Sequence, residues 1–273
     1  MSNLKDLVYG FAWGDALGHP FEFKSPTPQE IRDRLKDDSI FQYTDDTKLL
    51  LSTVYALSRN SLRYGQPRDS KFWEAMRRDA NDWLLKWYRS GDLRGIGVTT
   101  HAALNQMNLF AQNEGDLAKF KLDRKNYPYD LSAGNGILSR AIPLLAVGFE
   151  VDEKLIQFLS VTHLHPDGVE AVRCLAGYLA TRRLKESKLW STGQGFYAPE
   201  TVKIAAHAVD SGVEYAKVFA ASQVPEGDND STAALALGIS FFNRGIGRSS
   251  DHLMRRLDKR DHMEIESALD PGI

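Results

Sequence analysis

The sequence predicts an all-α fold, and three observations support this prediction. Apolar residues recur at the spacing of a helix over most of the chain. No window shows sustained alternation of apolar and polar residues, so we assign no sheet. At 273 residues, with 42% hydrophobic and 26% charged residues, the chain can bury a large core as a single domain, which we place over residues 1–273.

Charge and cysteine content exclude several classes of protein. Lys and Arg total 34 against 36 for Asp and Glu, which gives no broad attraction to nucleic acid or to an anionic membrane. The single Cys174 excludes an internal disulfide, and the first residues lack the basic region of a secretion signal. No apolar run approaches the roughly 20 residues of a membrane span. We therefore expect a cytoplasmic protein with no membrane contact and no broad nucleic-acid-binding surface.

The first helix is predicted from apolar residues at helical spacing between Leu4 and Ala12. It also carries three glycines at intervals of four, Gly10, Gly14 and Gly18. Each costs a helix about 1 kcal/mol relative to alanine, so the stripe indicates close approach of either a second helix or a ligand. Glu22 follows this helix and would project into a site if the stripe faced one.

The remaining helices follow from the same periodicity. Residues 24–40 contain Pro26 and Pro28 and are predicted as a loop with at most a short helical piece. A helix begins at Asp45, and others are predicted over residues 71–89, 98–112, 137–147, 152–162, 167–185, 199–221 and 231–244. The core spans about residues 4–247, and the segment of about residues 249–268 is predicted as a C-terminal surface helix.

A first acidic cluster, formed by Thr44, Asp45, Asp46 and Thr47, lies where a helix begins. Thr44 would make a good N-cap, and acidic residues in the first turn complement the helix dipole. Helix capping therefore accounts for this cluster when it is taken alone.

A second cluster, formed by Asp228, Asn229, Asp230 and Ser231, also opens a helix. It is not an EF-hand loop, because Ala233 and Ile239 occupy the glycine and glutamate positions of that pattern. Each cluster offers two carboxylates and a hydroxyl, and Mg²⁺ and Mn²⁺ prefer oxygen ligands of this kind. If the two clusters meet in space, they would bind one or two divalent cations.

The segment SAGNG, which contains Ser132, Gly134, Asn135 and Gly136, precedes a predicted helix. A glycine-rich loop at the start of a helix offers backbone amides to a phosphate, although a plain turn is an equal explanation. The segment is not a dinucleotide-binding fingerprint, because Ser139 occupies the place of the third glycine.

The segment THLHPDG places His163 and His165 two residues apart. Zinc would need a third ligand, and the chain has no cysteine pair. One of the histidines is therefore expected to hydrogen-bond a substrate or the protein itself, and Asp167 is a candidate cap for the following helix.

Five motifs in this order, GDALGHPFE, YTDDT, SAGNG, THLHPDG and GDNDSTAALALG, resemble the ADP-ribosylglycohydrolase family between about residue 8 and about residue 247. That family includes the enzymes that de-modify arginine, serine and nitrogenase reductase. The resemblance implies a single-domain, all-α orthogonal bundle with a central binuclear metal site. The metal ligands that it implies are Thr44, Asp45, Asp46, Asp228, Asp230 and Ser231.

The resemblance also implies catalytic and substrate-binding residues. Glu22 matches a mobile catalytic glutamate, which would act together with Asp45 and Asp46. The residues implied to contact the phosphates, the ribose or another part of the ligand are Ser132, Gly134, Asn135, Gly136 and His163. Lys48 departs from the pattern, and its ammonium would either compete with the metal charge or reach solvent.

The function implied by the resemblance is Mg²⁺-dependent hydrolysis of the glycosidic bond between ADP-ribose and a modified protein side chain or other acceptor, with release of ADP-ribose. Two Mg²⁺ ions are expected, and Mn²⁺ is an alternative. Two other functions stay open at this point. One is a non-catalytic ADP-ribose-binding protein of the same fold. The other is a helical phosphohydrolase of the histidine–aspartate type, although Pro166 separates His165 from Asp167.

Overall fold

The computed structural model describes residues 2–64, 69–123, 133–163, 165–184, 193–245 and 251–271. Within these ranges the regular structure is helical, and the β-contacts are two isolated bridges, Phe41 with Leu257 and Gly134 with Tyr197. The prediction of an all-α fold is confirmed. Among the described residues, no helix combines the length and the apolar character that crossing a bilayer requires.

The helices in chain order are α1 (Ser2–Gly18), α2 (Pro28–Lys36), α3 (Asp45–Tyr64), α4 (Ser70–Ser90), α5 (Val98–Gln112), α6 (Gly136–Ala146), α7 (Glu153–Leu159), α8 (Pro166–Thr181), α9 (Ala198–Asp210), α10 (Tyr215–Ser222), α11 (Asn229–Arg244), α12 (Asp251–Arg256) and α13 (Lys259–Leu269). Short 3-10 turns follow α1 at His19–Phe21 and precede α6 at Leu117–Lys119. Most of the buried apolar residues form one core, and a smaller cluster around Leu84 and Leu104 joins α4 to α5.

Helix α2 is longer than the short helical piece expected over residues 24–40. Thr27 and Glu30 form a capping box, in which the Thr27 hydroxyl accepts from the Glu30 amide and the Glu30 carboxylate accepts from the Thr27 amide. Pro28 occupies the first turn, where its missing N–H has no cost. The proline that suggested a loop therefore starts a helix.

Two segments predicted as single helices are each two helices. The helix expected over residues 199–221 ends at Asp210, and α10 begins at Tyr215. The tail, expected as one surface helix, breaks between Arg256 and Lys259, where the Asp258 side chain caps α13. The surface assignment is also corrected, because Leu257, Ile265 and Ala268 of this tail belong to the main core.

The glycine stripe of α1 packs against α11. A Cβ on Gly10 would lie 2.6 Å from the Leu237 carbonyl oxygen, and a Cβ on Gly14 would lie 2.5 Å from the Ala234 amide nitrogen. A Cβ on Gly18 would lie 2.7 Å from the Asp230 Cα. Of the two explanations for the stripe, close helix packing is the correct one. Its consequence is that the end of α1 lies against the acidic start of α11.

Candidate active site

The two acidic clusters, from distant parts of the chain, meet at the N-termini of α3 and α11. One carboxylate oxygen from each of Asp46, Asp228 and Asp230 lies within 4.8 Å of the others, and all three residues are buried. The condition set by the sequence, that the two clusters converge, is therefore met in the structure. Such a spacing of carboxylates suits a shared cation.

Asp46 is held in place by hydroxyl groups from two other helices. Its Oδ1 accepts from the Ser139 hydroxyl of α6 at 2.9 Å, and its Oδ2 accepts from the Ser231 hydroxyl of α11. Ser231, predicted as a metal ligand, thus lies at the junction of the two acidic clusters. These contacts join α3, α6 and α11 at one point.

Asn135 positions Asp228. Its side-chain amide donates to Asp228 Oδ2 at 2.8 Å and to the Gly195 carbonyl at 2.9 Å. The other oxygen of Asp228 accepts from the Ser231 amide at 3.2 Å and so caps α11. Asn135 was predicted to contact substrate; it lines the cleft, and its amide also orients a candidate metal ligand.

Asp15 is a residue that the sequence reasoning missed. It is fully buried on α1, and its carboxylate accepts from the Thr44 amide at 3.0 Å and from the Thr47 amide at 3.0 Å. The hydroxyls of Thr44 and Thr47 donate to the same carboxylate, at 2.8 and 2.6 Å. The cap of α3 is therefore Asp15 of another helix, and the Thr44 hydroxyl acts as a donor to it. A lone aspartate inside the apolar run of α1 was the available signal.

The buried carboxylates raise one another's pKa. The pKa of Asp46 is raised to about 8, mainly by burial and also by the negative charges of Asp15 and Asp228. Burial and the neighbouring carboxylates also raise the pKa of Asp45 and of Asp228 well above the usual range. Buried acids that repel each other are stabilised when a cation lies between them. A set of oxygen ligands of this kind fits a divalent metal ion.

His19 joins Glu22 to the acidic cluster and was also missed at the sequence level. Its Nδ1 lies 3.5 Å from Asp230 Oδ2 and 3.7 Å from Glu22 Oε2. The contacts with Asp230 and then with Glu22 raise the pKa of His19 to about 10, which favours the protonated imidazole. Glu22 is partly buried and lines the cleft at the edge of the site.

A cleft of about 490 Å³ opens above the acidic cluster. Its walls include Glu22, Phe23, Asp45, Asp46, Gly134, Asn135, Gly136, His163, Phe196, Asp228, Asp230, Ser231 and the loop of residues 95–100. This loop was not predicted as part of the site. A Cβ on Gly95, which has a φ of +73°, would lie 2.8 Å from the Thr44 Cβ. The Gly97 amide donates to the partly buried Asp45.

Position 136 has no room for a side chain, because the His163 ring lies over Gly136. A Cβ on Gly136 would lie 2.8 Å from Cε1 of the His163 ring. Gly134 pairs with Tyr197 through an isolated bridge, which fixes the loop against the start of α9. Ser132 lies outside the described residues.

His165 and Asp167 have structural partners away from the cleft walls. The His165 ring accepts from the Asp167 amide at 3.0 Å and caps α8, so the expected cap by Asp167 is wrong. Asp167 instead accepts from the Tyr197 hydroxyl. Because neither residue lines the cleft around the acidic cluster, the histidine–aspartate phosphohydrolase has no support from this geometry.

Lys48 pairs with a carboxylate outside the acidic cluster. Its ammonium is buried, pairs with the Glu264 carboxylate of α13 and lies 5.2 Å from the centre of the Tyr43 ring. Glu264 also accepts from the Tyr43 hydroxyl at 2.8 Å. Both fates expected for this ammonium, competition with the metal charge and exposure to solvent, are therefore wrong.

Comparisons with known proteins agree with the all-α fold. A family model described as ADP-ribosylglycohydrolase matches residues 1–188. A solved structure titled an ADP-ribosylglycohydrolase-related protein complex superposes with a TM-score of 0.58 and 23% identity, over 98% of this chain and 96% of that one. Comparison with curated protein sequences gave no significant match. The family match ends before Asp228, so the place of the second acidic cluster is known from the packing of α11.

Proposed function

This chain belongs to the ADP-ribosylglycohydrolase family, and from that premise we propose that it hydrolyses the glycosidic bond between ADP-ribose and a modified acceptor. The acceptor is a protein side chain or another ADP-ribosylated group, and ADP-ribose is the product. The observation that carries the proposal is the convergence of Asp46, Asp228 and Asp230 at the floor of a cleft large enough for a small ligand.

Two Mg²⁺ ions, or Mn²⁺ in their place, are the cofactors in this proposal. The residues that would hold them are Thr44, Asp45, Asp46, Asp228, Asp230 and Ser231. When bound, such ions supply positive charge that orients and polarises the oxygens of the substrate. The buried carboxylates with raised pKa support this assignment, because their mutual repulsion is relieved by a cation.

Glu22 is the proposed proton carrier. Its carboxylate lies at the edge of the cleft, 3.7 Å from the His19 Nδ1, where a protonated imidazole would attract it. The carboxylate takes a proton from the attacking water or delivers one to the leaving group. A placed acid or base of this kind contributes about 10² to 10⁴ in rate.

The loop of residues 134–136 and His163 are proposed to bind the phosphates and ribose of ADP-ribose. Helix α6 begins at Gly136, and the amides at a helix start attract phosphate oxygens. Burial and the charge of Arg140 lower the pKa of His163 to about 3, so the ring is neutral at physiological pH. A neutral imidazole can donate one hydrogen bond to a ligand oxygen without adding charge.

The proposal is tested by incubation of the protein with arginine-linked, serine-linked and nucleic-acid-linked ADP-ribose and O-acetyl-ADP-ribose, each with Mg²⁺ and with EDTA. Release of free ADP-ribose from at least one substrate, only with Mg²⁺, is the expected result. Calorimetry with ADP-ribose under both conditions separates the second candidate. Binding of ADP-ribose without cleavage of any linkage would favour the non-catalytic protein.

A further inference from the structure

Arg140 is a buried cation next to the ligand-facing part of the cleft. It lies on α6 with no exposed surface, and burial lowers the pKa of its guanidinium to about 9. Its Nη1 donates to the Leu159 carbonyl at 3.1 Å and to the Thr162 hydroxyl at 3.2 Å. The guanidinium carbon lies 4.8 Å from the centre of the Phe158 ring. Its Nε and Nη2 have no hydrogen-bond partner among the described residues.

Thr162 connects this cation to His163. The Thr162 oxygen lies 3.0 Å from the His163 Nδ1. A guanidinium only donates, so the Thr162 oxygen is the acceptor in its bond with Arg140. The Thr162 hydroxyl is therefore free to donate its own proton, and two acceptors lie near it, the His163 Nδ1 and the Leu159 carbonyl oxygen. The His163 Nδ1 at 3.0 Å is closer than the Leu159 carbonyl at 3.5 Å, whose oxygen already accepts from Arg140 and from the Thr162 amide.

From these contacts we infer that Arg140 and Thr162 are positioning residues that fix His163 as the tautomer with its proton on Nε2. In that tautomer Nδ1 accepts from the Thr162 hydroxyl, and the opposite edge of the ring carries the only N–H. Cε1 and Nε2 are the ring atoms that lie over Gly136, at the start of α6. The His163 ring therefore presents a neutral N–H donor, at Nε2, to the cleft.

The tautomer selects the chemistry of the group that His163 contacts. A ring with its proton on Nε2 binds an acceptor oxygen, such as one of a phosphate or a ribose, and not an N–H or an ammonium group. That the oxygen belongs to ADP-ribose rests on the proposed function. The tautomer itself rests only on the contacts of Arg140 and Thr162.

The test is the protonation of the two His163 ring nitrogens in the full chain labelled with ¹⁵N, read from long-range ¹H–¹⁵N correlation spectra at neutral pH. Loss of signals in a His163→Gln variant assigns the ring. In the unmodified protein we expect a single tautomer, protonated on Nε2. Thr162→Val removes the hydroxyl and is expected to give a mixture of tautomers, whereas Thr162→Ser keeps the hydroxyl and the single tautomer.

A matched control is Thr53→Val, because Thr53 is also buried and its hydroxyl has no hydrogen-bond partner among the described residues. This variant is expected to leave the His163 spectrum unchanged. ADP-ribose binding, measured by calorimetry, is expected to weaken about fivefold in Thr162→Val, the effect of one weakened hydrogen bond, and to recover in Thr162→Ser.

A proton on Nδ1 in the unmodified protein, or an unchanged tautomer in Thr162→Val, would overturn the inference. Failure of all forms to bind ADP-ribose, together with the expected spectra, would instead reject the proposed function and leave the tautomer assignment standing. The two failures are thus distinguishable. Arg140→Met provides a second measurement, in which loss of the cation is expected to raise the pKa of His163 measured by the same spectra.

Discussion

Gly14→Ala tests whether the packing of α1 on α11 sets the geometry of the acidic cluster. The added Cβ would lie 2.5 Å from the Ala234 amide nitrogen, whereas ordinary van der Waals contact begins at 3.4 Å, so the two helices must separate by about 1 Å. The obstacle is backbone, which cannot rotate away. Overpacking costs about 3 kcal/mol here, and the better helix propensity of alanine returns about 1 kcal/mol. The expected net loss is about 2 kcal/mol in the free energy of unfolding.

The same shift moves Asp230 relative to Asp46. Metal–ligand distances tolerate about 0.2 Å, so a separation near 1 Å is expected to weaken Mg²⁺ binding. Urea unfolding measures the first effect and calorimetric titration with Mg²⁺ the second. The matched control is Gly177→Ala in α8, where an added Cβ meets nothing within 4 Å. This control is expected to gain about 0.5 to 1 kcal/mol. Equal stability of the two variants, or unchanged Mg²⁺ affinity in Gly14→Ala, would refute the reasoning.

Three further predictions concern single side chains. Asp15→Asn puts a side-chain amide against four donors, and it is expected to lower the free energy of unfolding by about 2 kcal/mol, measured with urea. The control is Asp152→Asn, at an exposed N-cap where asparagine caps equally well, and it is expected to change this free energy very little. Equal costs would remove Asp15 from the support of α3. Glu22→Gln is expected to retain ADP-ribose binding. Its rate of cleavage of the modified substrate, measured by chromatography of free ADP-ribose, is expected to fall by about 10² to 10⁴. Unchanged turnover would exclude Glu22 from the mechanism. The pKa of His163 is lowered to about 3 in the folded protein, so the unfolded state binds more protons below pH 6.5, and stability from this residue is lost as the pH falls from 6.5 towards 3. The contribution of His163 to the pH dependence of the unfolding free energy is roughly 1.4 kcal/mol per pH unit. This contribution should be absent from His163→Gln, as measured by urea unfolding at pH 6.5 and 5. Identical pH dependence in the two proteins would contradict the burial of a neutral ring.

The pairing of the acidic clusters could be predicted from the sequence because carboxylates and hydroxyls at two helix starts share one chemical preference, that of hard cations. The close approach of another backbone to α1 could also be predicted from its glycine spacing, but its identity could not. The periodicity of apolar residues indicates which face of a helix is buried, but it does not indicate which other helix packs against that face. The partner, α11, became known only when Gly14 and Ala234 were placed side by side.

Residues that act through geometry were harder to predict than those that act through chemistry. Asp15 caps a helix that begins 30 residues later in the chain, and local capping rules gave that role to Thr44. The loop around Gly95 has no periodicity, so nothing in its sequence indicated which wall it forms. Asn135 has a second role that its sequence context did not indicate, because its side-chain amide donates to Asp228.

Anomalous diffraction from a crystal soaked in Mn²⁺ tests most directly whether the two acidic clusters share a cation. We predict one or two Mn²⁺ peaks among Asp46, Asp228 and Asp230, each within about 2.2 Å of oxygens from both α3 and the start of α11. A crystal with no peak at this position, or with a peak bound by one cluster alone, would contradict the account.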